Sequence, residues 1–314
     1  LEESGSPVQH ARIGSPPEDG RKPMQIAYHL GVHGTDEDRL VRALLKNRGT
    51  LAAAGIAVPS PRLYRQLLPK VAKTLRGAPA GPEVREVILD AVGEDGPVER
   101  LVFSHESLLC FPVNAIGPEG LYPTSAARVA AYANLFPGAE AEVFIALKNP
   151  ATLVPALLDR TAEASYEMLM SGSSPASLRW APVIRRILAQ TPGVALTLWC
   201  AEDLPLLWPE VLRAIAGVPP EEMLEGDYDL LAALMTDEGL ARLKEFFDGH
   251  HPRRPAQRRR ATAAFLQKYA RPEELEVEIV LPGWTEALVA AMTEAYDEDC
   301  AEIAGLPGVT FLVP

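Results

Sequence analysis

The chain has 314 residues, 47% of them hydrophobic and 23% charged, with a formal net charge of −12 and a pI near 5.1. A chain of that length can bury a large core, in one big α/β domain or two smaller ones. The acidity argues against a nucleic acid as partner, although a local basic patch could hold a small anion. No apolar run approaches the roughly 20 residues of a membrane span, and no secretory apolar segment opens the sequence. Cys110, Cys200 and Cys300 form no CxxC and no metal-ligand spacing, so neither a disulfide framework nor a zinc site is expected. The expectation is a cytoplasmic protein in a reducing compartment, with no membrane partner.

Residues 1–23 are rich in Ser, Pro, Gly and charge, which predicts disorder. Met24 stands directly before the first apolar segment, so the natural start is expected there, with an added leader before it. Gln25–Leu30 reads as a short inner strand, and Gly31–Asp38 as a tight turn that launches a helix. Leu40, Val41, Leu44, Leu45 and Leu51 recur at helical spacing. Thr35 followed three residues later by Asp38 resembles a capping box. Gly55 ends that helix before a short IAVP segment, a helix is expected over Ser60–Leu75, and 77–82 reads as a loop. Helices over Glu83–Val92, Ser125–Phe136, Ala151–Met170, Ala181–Gln190 and Leu207–Ile215 alternate with strands at Glu99–Phe103, Ala141–Leu147 and Val194–Trp199. That alternation predicts a central parallel sheet with helices on both faces. The last third is mainly helical, over Asp229–Met235, Glu238–Phe247, Arg260–Tyr269 and Thr285–Ile303, and closes with a short Val309–Val313 tail. The dense basic run HHPRRPAQRRR (250–260) lies between two of these helices.

The segment 28–59, YHLGVHGTDEDRLVRALLKNRGTLAAAGIAVP, resembles the opening of bacterial sulfotransferase-like proteins, whose pattern is roughly HIGxHKTGTTxLQxxLxxNRxxLxxxGxxYP. His29, Gly31, His33, Thr35, Leu44, Asn47, Arg48, Leu51, Gly55 and Pro59 fall on matching positions. LVFSHESLL (101–109), FPGAEAEVFIALKNP (136–150) and LTLWCAEDLPLLWPEVLRAIAGVP (196–219) follow in the family's order. The resemblance implies a P-loop-like α/β fold, a single domain over 24–314, and 3′-phosphoadenosine 5′-phosphosulfate as the donor cofactor. The departures fall on the donor motifs. The family's Lys-Thr-Gly-Thr-Thr is here Gly34-Thr35-Asp36-Glu37-Asp38, and its Arg and Ser for the 3′-phosphate are Lys148 and Ala156. Lysine lacks arginine's bidentate fork. Two like charges about 4 Å apart cost roughly 4 kcal/mol at an effective dielectric near 20. A helix N-terminus returns only about 0.3–1 kcal/mol, up to ~2 in a favourable site. Carboxylates aimed into this loop would thus outweigh its attraction for a phosphosulfate.

By the resemblance, Gly31, Gly34, Thr35 and Lys148 are the cofactor-binding candidates, and Glu106 and His33 the acid/base candidates. Each has a plainer alternative. Glu106 can be a surface or capping glutamate, and His29 and His33 a pair of structural histidines beside the loop. Asp36, Glu37 and Asp38 can hold a hard cation or complement the helix dipole, and the second is expected, with no metal site. Arg253, Arg254, Arg258, Arg259 and Arg260 can close over an anion or form a solvated helix start. Trp199, Trp208 and Trp284 are expected in the core. The function expected is that of a sulfotransferase-like protein without standard donor binding, a non-catalytic or divergent binding protein for a small anionic ligand or a glycan. The alternative is an active transferase acting on a hydroxyl of a glycan or small molecule.

Overall fold

The computed structural model describes residues 22–93, 98–161, 164–251, 254–275 and 279–314. Most of the expected leader therefore lies outside the described residues, as does Arg253. Eight strands are described: β1 (Gln25–His29), β2 (Ile56–Ala57), β3 (Arg100–Ser104), β4 (Ile116–Gly117), β5 (Gly120–Leu121), β6 (Glu140–Leu147), β7 (Ala195–Cys200) and β8 (Val309–Leu312). Six of them form one sheet in the order β2-β3-β1-β6-β7-β8, and every pairing in it is parallel. The other two make a small antiparallel hairpin, which the sequence reading missed. The short IAVP segment and the Val309–Val313 tail supply the two edge strands.

Each strand is apolar on both faces, as a covered parallel sheet requires. Ile26, Tyr28, Leu101, Phe103, Val143, Ile145, Leu196 and Leu198 point to one side, while Ala27, Val102, Phe144, Ala146 and Trp199 point to the other. The first side is covered by α2 (Ser125–Ala133), α4 (Ala181–Gln190) and α8 (Glu286–Ala304) through residues such as Tyr132, Ile184 and Ile303. The second is covered by α1 (Arg39–Lys46) and α5 (Leu204–Ala216) through Leu40, Leu44, Trp208 and Ile215. Between α2 and α4, α3 (Pro150–Asp159) follows β6 directly, with Pro155 inside it. Trp199 and Trp208 are fully buried, and Trp284 is half-buried with its indole N–H on the Tyr166 hydroxyl.

Several boundaries differ from those expected. The helix expected over Ser60–Leu75 breaks into Pro61–Tyr64 and Leu67–Leu75. The one expected over Ala151–Met170 ends at Asp159, and a short Tyr166–Met170 helix follows, started by the Ser165 hydroxyl, which accepts the Met168 N–H. In the last third, α6 (Asp237–His250) and α7 (Pro255–Tyr269) pack against each other around Leu243 and Phe247. Here α7 starts at Pro255 rather than Arg260. Proline supplies a preset φ at the first helical position and no N–H that needs a partner there, so most of the basic run lies on a helix.

Candidate functional site

All strands of the main sheet run the same way, so their carboxyl ends share one edge. At that edge β1 leads toward β2 on one side, and its neighbour β6 leads through α3 to β7 on the other. Diverging connections of this kind open a crevice at the ends of the two strands, where ligands of open α/β sheets bind. The residues expected to carry function lie here. The loop after β1 does not leave the sheet at once. Leu30 N–H and Val32 N–H donate to the carbonyls of Phe144 and Ala146, and Ala146 N–H donates to Gly31. Gly31 has φ +90°, and a Cβ there would stand 3.0 Å from the Glu106 Cα, so the position needs glycine twice over.

Glu106 follows β3 and turns back across the loop. Its Oε2 accepts the Gly34 N–H at 2.9 Å, and its Oε1 faces the Arg160 Nε at 3.4 Å. Lys148, just past β6, donates its Nζ to the Gly34 carbonyl at 2.8 Å. Both backbone groups of Gly34 are thus engaged by side chains from neighbouring strand ends. Burial lowers the Lys148 pKa below its ordinary value. Arg160 caps α3, bonds the Ala156 carbonyl, and lies 3.8 Å from the Glu37 carboxylate. A Cβ on Gly34 would meet Ala156 at 3.1 Å and the Arg160 guanidinium at 3.3 Å. Arg160 was not foreseen, because its only sequence signal is its place at the end of a helix that begins near Lys148.

The expected capping box does not form. The Thr35 hydroxyl donates to the Val32 carbonyl, and Asp38, the residue before α1, makes no side-chain cap. Asp36 does the capping instead: its Oδ2 accepts the Leu40 N–H at 3.0 Å from a position only 4% exposed. Burial lifts its carboxyl from 3.8 to about 7, against the opposing effect of that hydrogen bond. Glu37 turns outward to Arg39 and Arg160. Among the described residues, no three His, Cys, Asp or Glu side chains cluster as metal ligands would.

His33 is fully buried. Its Nε2 lies 3.1 Å from the Cys110 carbonyl, which can only accept, so Nε2 carries the proton. Its Nδ1, 2.9 Å from the Tyr122 hydroxyl, then accepts. Both ring nitrogens are occupied within the protein, and burial lowers the imidazole from 6.5 to about 4. His29 is buried too, with Nδ1 2.8 Å from the Ser104 hydroxyl and its ring against Trp199. Its pKa falls to about 4, again chiefly by burial.

A third carboxylate fills the next helix start. Glu202, two residues past β7, accepts the Asn149 N–H at 2.9 Å on one oxygen and the Tyr296 hydroxyl at 2.9 Å on the other. The structure therefore brings together Gly31, Gly34, Glu106 and Lys148, adds Arg160, and turns His33 and the Thr35 hydroxyl back into the protein. The basic run has partners elsewhere. Arg259 bonds Glu210 at 3.1 Å, and the Arg258 guanidinium lies 4.7 Å from the centre of the Phe247 ring. Cys200 and Cys300, a hundred residues apart in sequence, are free thiols with sulfurs 3.5 Å apart.

Sheet order and strand direction define an open α/β protein of the parallel-sheet class, whose connections diverge between β1 and β6. No family model matches the chain, and no curated protein does. A solved structure similar to it is the sulfotransferase domain from the Synechococcus PCC 7002 olefin synthase, at 16% identity and a TM-score of 0.38, over 91% of this chain and 99% of that one.

Proposed function

We propose that the chain is a sulfotransferase-like α/β protein, one domain over 24–314, whose nucleotide loop is occupied by its own side chains and which works as a binding protein without 3′-phosphoadenosine 5′-phosphosulfate. The observation that carries this reading is the Glu106 carboxylate on the Gly34 N–H, held there beside Arg160. Gly34 stands where the motif resemblance places the donor-binding lysine. A phosphosulfate at that point would meet a carboxylate already seated on the loop. Two further anion seats are filled in the same way, the Leu40 N–H by Asp36 and the Asn149 N–H by Glu202. Restoring a lysine at Gly34 would also require a side chain where the φ is +68° and Ala156 already stands close.

Titration calorimetry with 3′-phosphoadenosine 5′-phosphate, with and without Mg²⁺, tests the reading. No heat of binding is expected under either condition. A dissociation constant in the micromolar range, about −8 kcal/mol, would overturn it and restore the alternative of an active transferase. In that case Glu106 would serve as the base, and Lys148 with Arg160 would take the anion contacts.

A further inference from the structure

Beside the carboxyl edge lies a groove of about 770 Å³, between the segment that follows β3 and the start of α2. That volume is typical of small-molecule sites. His105 and Ser107, which flank Glu106 in sequence, line it, and so does Cys110, whose carbonyl receives the His33 proton. The groove therefore adjoins the loop described above.

Two features of the lining bear on what it could hold. Arg65 and Arg128 both face the groove, and among the described residues no Asp or Glu lines it. In a protein of net charge −12, two arginines with no acidic neighbour among the described lining residues make a local positive field. Among the described residues neither pairs with a carboxylate, and the Arg128 guanidinium lies 5.9 Å from the centre of the Tyr132 ring. The second feature is apolar. Phe111 is 68% exposed, Met168 65% and Val113 45%, and all three line this groove. Single exposed apolar side chains are ordinary, but a group of them around one concavity with two arginines that hold no carboxylate marks a ligand surface.

We propose that the groove binds a small amphipathic anion, an aromatic or short-chain carboxylate or sulfate. Its charged head lies on Arg65 and Arg128, and its apolar body rests against Phe111, Val113 and Met168. Guanidinium groups suit planar two-point recognition of such a head. The proposal names the ligand class for the binding-protein reading above and rests on that reading only in taking this edge of the sheet as the binding face.

The test is calorimetric titration of the full chain with naphthalenesulfonate and, in parallel, with naphthol, which has the same rings and no charge. The sulfonate is expected to bind at least about tenfold more tightly than naphthol. Arg65→Gln and Arg128→Gln should each remove much of that preference. Phe111→Ser, at an exposed position, should weaken both ligands alike. If Arg128→Gln fails to fold, Arg65→Gln and Phe111→Ser, both on the surface, still decide the matter. Absence of sulfonate binding, equal affinity for the two compounds, or unchanged affinity in the arginine variants would overturn the proposal. The nucleotide titration reads independently: nucleotide binding would sink the occupied-loop reading and leave the groove result standing.

Discussion

Asp36 and the two buried histidines set opposing pH dependences around one strand–loop junction. A histidine lowered from 6.5 to about 4 by burial contributes stability that is complete above pH 6.5 and lost as pH falls through 4. Asp36, raised from 3.8 to about 7, works the other way, contributing stability below pH 4 that is lost as pH rises through 7. Between roughly pH 4 and 6.5 the two histidines outweigh the one carboxyl, giving a net rise in unfolding free energy of about 1.4 kcal/mol per pH unit from these three groups. Asp36→Asn keeps an acceptor for the Leu40 N–H and removes the opposing proton. Its slope should roughly double, to about 2.7 kcal/mol per pH unit. Urea denaturation at half-unit pH steps measures it, and an unchanged slope would show that Asp36 is ionised in the native protein. This behaviour was not legible in the sequence. A run of Asp-Glu-Asp after a turn looks like a helix's acidic first turn, and only the depth of Asp36 separates it from Glu37.

Among the elements, α5 is tied to its neighbour by a buried ion pair. Arg213 on α5 makes a two-point contact with Asp227, at 2.8 and 2.7 Å, with side chains 8% and 2% exposed. This pair fastens α5 to the segment leading into the helical third. Asp227→Ala would leave a buried, unpaired guanidinium and should destabilise by about 3–5 kcal/mol. Replacing both partners with apolar residues of similar volume should recover most of that loss, since the desolvation of both charges disappears as well. Thermal and chemical denaturation of the single and double variants would separate the outcomes; a double variant as unstable as the single would argue that the pair itself supplies net stability. The strands were legible because five- to eight-residue apolar runs flanked by turn residues have few alternative readings. The start of α7 was not: HHPRRPAQRRR carries no apolar periodicity, so nothing but Pro255 announced a helix there.

At the scale of the whole molecule, the sheet is finished by a strand that follows the helical third. β8 pairs with β7, over a hundred residues earlier, and lies beyond α8. Removing residues 306–314 should bare the Leu196–Trp199 edge of β7, cost roughly 4–6 kcal/mol for the four partly buried apolar side chains of Leu306, Val309, Phe311 and Leu312 at ~1–1.5 kcal/mol each, and promote association through the open strand. Size-exclusion chromatography with light scattering checks this; a monodisperse, equally stable shortened chain would contradict it. The fold class was legible from the alternation of elements. The site was legible in the Gly31–Gly34 turn and, through the family resemblance, at Glu106 and Lys148 on later strand ends. Arg160, Glu202 and Tyr296 reach it from other parts of the chain, and such meetings leave no mark on sequence spacing. The seat of Glu106 on the Gly34 N–H also has a consequence for competition. It makes the loop a receptor with a ligand already tethered to it. An incoming anion then sees only the fraction of molecules in which the tether has swung away. If Glu106 were seated about 99% of the time, any apparent dissociation constant at that point would rise about a hundredfold over the intrinsic one.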